Sequence, residues 1–190
     1  GTMRHVPTKV VLVDGRYYAV IYSMTNSLYA LVNKTAAFPD MAKHWAEAAV
    51  KDMGSRLIVF GRDNGQYEPD GKVTRAEFAA MLVRGLGLKA GPGEVPFTDV
   101  KAGDWYYEAV KAAYQYGLVQ GYEDGRFRPN ERITREQAVV MLRKAMALTG
   151  LNPQTPEGTL GAYQDAQEVA AWAQGAMADS IAAGLVSGRD

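Results

Sequence analysis

Residues 73–82 read VTRAEFAAML, and residues 133–142 read ITREQAVVML. Thr74 with Glu77, and Thr134 with Gln137, fit the S/T-x-x-E/Q capping box, in which two side chains close the free amides at the start of a helix. Each stretch therefore predicts a helix start. Behind the caps, Phe78, Met81, Leu82 and Gly85 in one stretch and Ala138, Met141, Leu142 and Ala145 in the other recur at i, i+3, i+4 and i+7, the spacing of one buried helical face. Arg75 and Arg135 do not follow from capping. At the first helical position a cation opposes the positive end of the macrodipole, where stability alone favours Asp or Glu. A cation kept twice against that gradient predicts a task other than closing the helix.

Working outward, a shift of sixty residues lays Trp45 on Trp105, Ala49-Val50-Lys51 on Ala109-Val110-Lys111, Gly61 on Gly121 and Pro69 on Pro129. A third, partial copy begins at Tyr163: Phe38-Pro39-Asp40, Phe97-Thr98-Asp99 and Tyr163-Gln164-Asp165 correspond, as do Trp45, Trp105 and Trp172. In the register of the second copy, the loop, the Thr-Arg cap and the second helix of this third unit are missing. Repetition at such a period marks units that bury one another's apolar faces. The expected fold is mainly α, a pseudo-three-fold bundle of helix-loop-helix repeats over residues 37–190, with repeats at about 38–90, 97–150 and a truncated 163–190. In the first helix of the second repeat, Asp104 reads as the cap and Trp105, Ala109, Ala112 or Ala113, and Tyr116 as the inner stripe, with Gly117 as the stop. Leu57 stands where Gly117 does, which predicts a differently shaped helix end in the first repeat. An incomplete third repeat would leave apolar surface open, so self-association through it is a further expectation.

Residues 1–36 alternate like strands. Lys9–Val13, Tyr17–Tyr22 and Leu28–Val32, joined at Asp14-Gly15 and at Met24–Ser27, predict a short antiparallel β meander. Three short strands are hardly stable alone, so this segment is expected to be the remnant of an upstream domain.

Composition narrows the function. In 190 residues, 21 Lys and Arg balance 21 Asp and Glu, so no global basic field exists to hold nucleic acid. No apolar run approaches a membrane span, and membrane insertion is not expected. The absence of cysteine excludes thiol catalysis and thiolate metal sites, and the two histidines, His5 and His44, do not make a transition-metal site. Asp63-x-Gly65 and Asp70-Gly71 fail the EF-hand calcium pattern. No nucleophile elbow, P-loop or dinucleotide fingerprint occurs, and nothing selects a carboxylate pair for glycoside hydrolysis. Neither a cofactor nor a catalytic residue is expected, and the chain reads as non-enzymatic.

An aromatic-x-Asp, a Trp five to seven residues after the Asp, a Gly, an aromatic-x-Pro loop and a Thr-Arg opening of the second helix, recurring together, resemble the S-layer homology domain of bacterial cell-surface proteins. The resemblance covers about residues 38–190. It implies a three-lobed helical anchor at the extracellular surface that binds secondary cell-wall polysaccharide, commonly through a pyruvylated sugar, on a Gram-positive-type envelope. It also implies functional roles for Arg75 and Arg135, for Asp40, Asp99 and Asp165, and for Trp45, Trp105 and Trp172.

Chemistry supports part of that assignment. A guanidinium grips a carboxylate with two parallel hydrogen bonds, and helix-start amides offer further donors to an anion. Tryptophan gives a sugar ring a flat apolar face, and Gly61 or Gly121 lets a ligand approach the backbone. Each residue also has a plainer reading: surface ion pairs worth about 0 to 1 kcal/mol for the arginines, core packing for the tryptophans, loop ties for the aspartates and backbone geometry for the glycines. Two other functions fit the same sequence, a protein-binding helical repeat module and the non-catalytic part of a surface glycoside hydrolase.

Overall fold

The computed structural model describes residues 3–23 and 26–188. It is mainly helical, with a short antiparallel hairpin near the N-terminus. Two compact units form, one from residues up to Lys72 together with Val83–Lys89, the other from Val73–Leu82 and from Ala90 onward.

In the first unit, β1 (Thr8–Val13) pairs with β2 (Arg16–Ile21), Val13 opposite Arg16. Asp14 and Gly15 turn the chain with φ of 49° and 74°. Positive φ at both central residues is what a two-residue hairpin requires, and Asp-Gly supplies it. The expected third strand is absent: Leu28–Val32 carries no regular structure, and Leu28 and Leu31 lie open to solvent. An apolar run sets a strand only where a face is covered, and nothing covers this one. Met24 and Thr25 of the expected second turn lie outside the described residues.

Helix α1 (Glu47–Ser55) ends in a Schellman motif, with the Ile58 amide bonded to the Met53 carbonyl at 2.9 Å and the Leu57 amide to that of Gly54 at 3.0 Å. The same pair of bonds closes α3 (Tyr107–Gln115) through Gly117 and Leu118, and α5 (Ala171–Ala182) through Gly184 and Leu185. Leu57 therefore does not reshape the helix end. It adopts φ of 62° beside 71° at Gly117 and 70° at Gly184, so tertiary structure holds a leucine where glycine is favoured.

The loops after α1 and α3 are equally alike. Arg62 and Gln66 in one, and Tyr122 and Arg126 in the other, close a turn around Gly65 and Gly125, and Asn64 or Asp124 accepts the amide two residues on. Glu68 and Arg128 then take the same left-handed φ of 60°. α2 (Arg75–Gly85) and α4 (Arg135–Leu148) follow, each with its reciprocal capping box formed.

The buried stripe of α2 is Ala76, Ala79, Ala80 and Val83, one register away from the expected set, and that of α4 is Val139, Met141, Ala145 and Met146. In α3 the inner face is Tyr106, Val110, Ala112 and Ala113, and Trp105 turns outward. Asp104 caps no helix by its side chain, which instead accepts the Lys101 amide at 2.7 Å. Phe127, Leu118 and Val110 are fully buried in the second unit, each worth about 2 to 3 kcal/mol of apolar burial. α4 packs on α5 there. Among the described residues no helix is long and apolar enough to cross a membrane.

Candidate functional site

The second unit places Arg75 in an unusual setting. One guanidinium nitrogen, Nη2, donates to the Gln120 carbonyl at 2.8 Å. The guanidinium carbon stands 5.1 Å from the ring centre of Tyr122 and 4.9 Å from that of Phe127. Arg75 Nε is buried and has no partner. Burial lowers the pKa of this guanidinium, against smaller opposing influences from Tyr122 and Glu131. Aromatic faces attract a cation and fix its plane, but they do not neutralise it.

Arg75 borders a cavity of about 260 Å³ with Tyr122, Gln137, Met141, Lys144 and Trp172, and Gly121 lies on its wall. Lys144 is the second cation of this cavity. Its pKa is also lowered, first by burial and then by Arg75. No carboxylate lines the space. Two half-buried like charges facing one pocket are costly unless an anion joins them. The arrangement is that of an anion receptor with an apolar, partly aromatic wall.

The helix-start amides contribute less than expected. The Arg75 amide is bonded to the Glu131 carbonyl at 2.9 Å, the Ala76 amide to that of Pro129 at 3.0 Å, and the Glu77 amide to Thr74 Oγ1 at 3.2 Å. The loop of the second repeat thus fills the N-terminus of α2, and side chains are left to hold a ligand.

Arg135 repeats the contact and not the surroundings. Its Nη2 donates to the Ser187 carbonyl at 2.7 Å, and Ser187 is the counterpart of Gln120. The side chain is exposed. The neighbouring Glu136 accepts the amide of Ala170 at 2.7 Å and so holds the start of α5.

The other expected site residues separate by role. Both Asp40 oxygens receive the Tyr67 amide at 3.0 Å, and one receives that of Glu68 at 2.7 Å. These amides, that of Tyr67 first, hold the Asp40 carboxyl below its usual range. Asp99 takes the Phe127 and Arg128 amides at 2.8 Å each. Both aspartates pin the left-handed residue of their loop. Asp165 is exposed at the head of the single turn Ala166–Glu168, without a side-chain cap bond.

Trp45, Trp105 and Trp172 are 91%, 62% and 59% exposed, so none is a core residue. Trp172 borders the Arg75 cavity; Trp105 meets the Tyr106 ring edge-on, and Trp45 lies beside His44. The glycines seat aromatic rings. A Cβ on Gly61 would come within 2.9 Å of both the Phe38 ring and the Gln66 carbonyl, and one on Gly121 within 2.7 Å of the Phe97 ring. Gly188 stands in the same relation to Tyr163.

Three cavity residues were not singled out as ligand contacts from the sequence. Gln137 was recognised as a cap, yet its Nε2 also donates to the Tyr122 hydroxyl at 2.9 Å. Tyr122 and Lys144 fall outside the repeated motif. The one available signal was that Lys144 aligns with a second cation, Arg84.

Sequence comparison bears directly on this arrangement. The profile of the S-layer homology domain matches residues 37–79 and 96–139. The chain carries S-layer homology domains. The two matched stretches end just behind the two Thr-Arg caps, so Arg75 and Arg135 lie inside them. The chain is 36% identical over 180 residues to an amylopullulanase of Thermoanaerobacterium thermosulfurigenes, covering 93% of this chain and 9% of that protein. It is 35% identical to the exoglucanase XynX of Acetivibrio thermocellus over 87% of this chain and 15% of that protein. It is 34% identical to the surface-layer 125 kDa protein of Lysinibacillus sphaericus, over 77% of this chain and 12% of that one. The chain therefore spans a small part of the relatives it matches. S-layer homology domains are non-catalytic modules that bind cell-wall polymers, and this chain is a cell-surface anchoring module.

Proposed function

We propose that the Arg75 cavity binds the carboxylate of a pyruvylated sugar in secondary cell-wall polysaccharide and thereby moors the protein to the wall. The observation that carries this reading is the pairing of two half-buried cations, Arg75 and Lys144, in a cavity without a lining carboxylate. Arg75 keeps Nε and other donors for a planar carboxylate after its bond to Gln120, and the Tyr122 and Phe127 rings fix the plane in which they point. Lys144 adds a point charge. The exposed face of Trp172 suits the apolar side of the pyranose, and Gln137 suits a hydroxyl. A volume of about 260 Å³ accommodates one substituted monosaccharide at a time.

Calorimetric titration with purified wall polymer, before and after chemical removal of its pyruvate, tests the reading. Binding at least tenfold weaker to the depyruvylated polymer is expected. Equal binding to both forms would overturn the carboxylate as the recognised group and leave a neutral saccharide or a protein partner in its place.

A second reading concerns the bearer of this anchor. Polysaccharide hydrolases stand among the relatives, and the aligned share of each is small. The segment suits the attachment part of a longer surface protein, either a hydrolase or a surface-layer protein.

A further inference from the structure

The first unit holds a cavity of about 140 Å³ lined by Arg4, His5, Leu57, Phe60, Arg84 and Leu88, among others. Under the sixty-residue shift Arg84 is the counterpart of Lys144, and Phe60 that of Gln120. Where the second repeat receives Arg75 from the preceding helix, the first receives Arg4 and His5 from the N-terminal segment.

That segment is firmly seated. Gly87 has φ of +64°, and a Cβ there would come within 2.7 Å of Pro7 Cδ and 3.4 Å of the His5 carbonyl. The Pro7 carbonyl in turn accepts the Tyr22 amide at 2.8 Å, which ties the segment to β2. A chain that merely passed by would not need glycine beneath it.

Arg84 lies with its guanidinium carbon 4.7 Å from the centre of the Phe60 ring, which is half exposed. Its Nη1 reaches the Ile58 carbonyl at a long 3.5 Å. Burial lowers its pKa, and no carboxylate pairs with it among the described residues. No carboxylate lines the cavity either. The charges His5 feels are Arg56 and Asp52, and these two are bonded to each other at 2.9 Å. A half-buried guanidinium on an aromatic face, beside two further basic side chains and an apolar floor, repeats the chemistry of the Arg75 cavity with different residues.

We infer that this cavity is a second acidic-sugar site, in which Arg84 takes the carboxylate, Phe60 offers the apolar face and the N-terminal segment completes the wall. The inference rests on the reading of the Arg75 cavity for the identity of the sugar. It makes the N-terminal segment a contributor to binding, and it requires no Thr-Arg cap.

Titration of the isotope-labelled chain with the pyruvylated methyl glycoside of N-acetylmannosamine, followed by amide NMR, separates the two sites. Saturating shifts at the Gly87 and Leu88 amides are expected, with affinity there about tenfold weaker in Arg84→Gln. Shifts at Gly121 with none at Gly87 and Leu88, or shifts there that Arg84→Gln leaves unchanged, would overturn the second site and keep the first. Shifts at Gly87 and Leu88 without any at Gly121 would overturn the Arg75 reading instead. An unperturbed spectrum would overturn both. The wild-type map decides these cases even where Arg84→Gln loses stability.

Discussion

Arg75 and Arg135 open the same helix in successive repeats, behind the same capping box, and give one guanidinium nitrogen to equivalent carbonyls at 2.8 and 2.7 Å. Their surroundings diverge. Arg75 lies against Tyr122 and Phe127, shares a cavity with Lys144 and is half buried; Arg135 is exposed, and of the counterpart loop the described residues include Ser187 and Gly188. The Thr-Arg motif places a cation at the edge of the next repeat, and the next repeat decides what that cation can hold. A fork in low-dielectric surroundings attracts a carboxylate more strongly than one screened by water.

The largest expected effect breaks that comparison directly. Arg75→Ala should weaken polymer binding by about 2 kcal/mol, roughly thirtyfold, the scale of a charge-assisted hydrogen-bond pair, while Arg135→Ala costs only a few-fold. Titration calorimetry on both variants, with thermal unfolding as a control, measures it; equal losses would mean that the aromatic cover is irrelevant. Next, Gly121→Ala should destabilise by about 2 kcal/mol, because its Cβ would meet the Phe97 ring at 2.7 Å and the Arg126 carbonyl at 3.0 Å. A thermal midpoint within error of the parent would remove the ring-seat account.

Those two residues also show what the sequence made legible. Helix starts, the Schellman ends and the repeat itself could be read because caps, glycines and periodic apolar residues act within a few positions. The rest depends on long-range partners. Nothing local says that Tyr106 turns inward and Trp105 outward, that Gly121 meets Phe97, or that the cavity's second cation is Lys144. The β meander failed for the same reason: Leu28–Val32 has a strand-like composition but no covered face.

Smaller effects sharpen the contrast between complete and partial repeats. Asp99→Ala leaves the Phe127 and Arg128 amides without their acceptor and should cost about 1 to 2 kcal/mol, whereas Asp165→Ala should leave denaturant midpoints unchanged. An equal cost at both would contradict the loop-tie role. The carboxylates also set an acid limit. Asp40 is lowered by the Tyr67 and Glu68 amides, and Asp179 by the Thr155 hydroxyl and then Arg143. A depressed folded pKa means stability fully present above the unfolded value near 3.8 and lost as pH falls through the lower folded value. Unfolding midpoints should therefore stay flat from pH 7 to about 5 on account of these groups and drop below about 4; Asp179→Asn should flatten part of that drop.

The smallest effect is a gain. Ser180 is fully buried and its hydroxyl has no partner, while the equivalent residue in the second repeat is Ala113. Ser180→Ala should stabilise by about 1 kcal/mol in chemical denaturation; a loss would reveal a partner for that hydroxyl.

The central claim is that the Arg75 cavity receives a carboxylate-bearing sugar. A crystal structure of the chain soaked with pyruvylated N-acetylmannosamine tests it most directly. The account predicts the ketal carboxylate in a two-pronged bond to Arg75, with Lys144 alongside and the ring against Trp172. Density for the sugar elsewhere, with the Arg75 cavity holding only solvent at full ligand saturation, would contradict it.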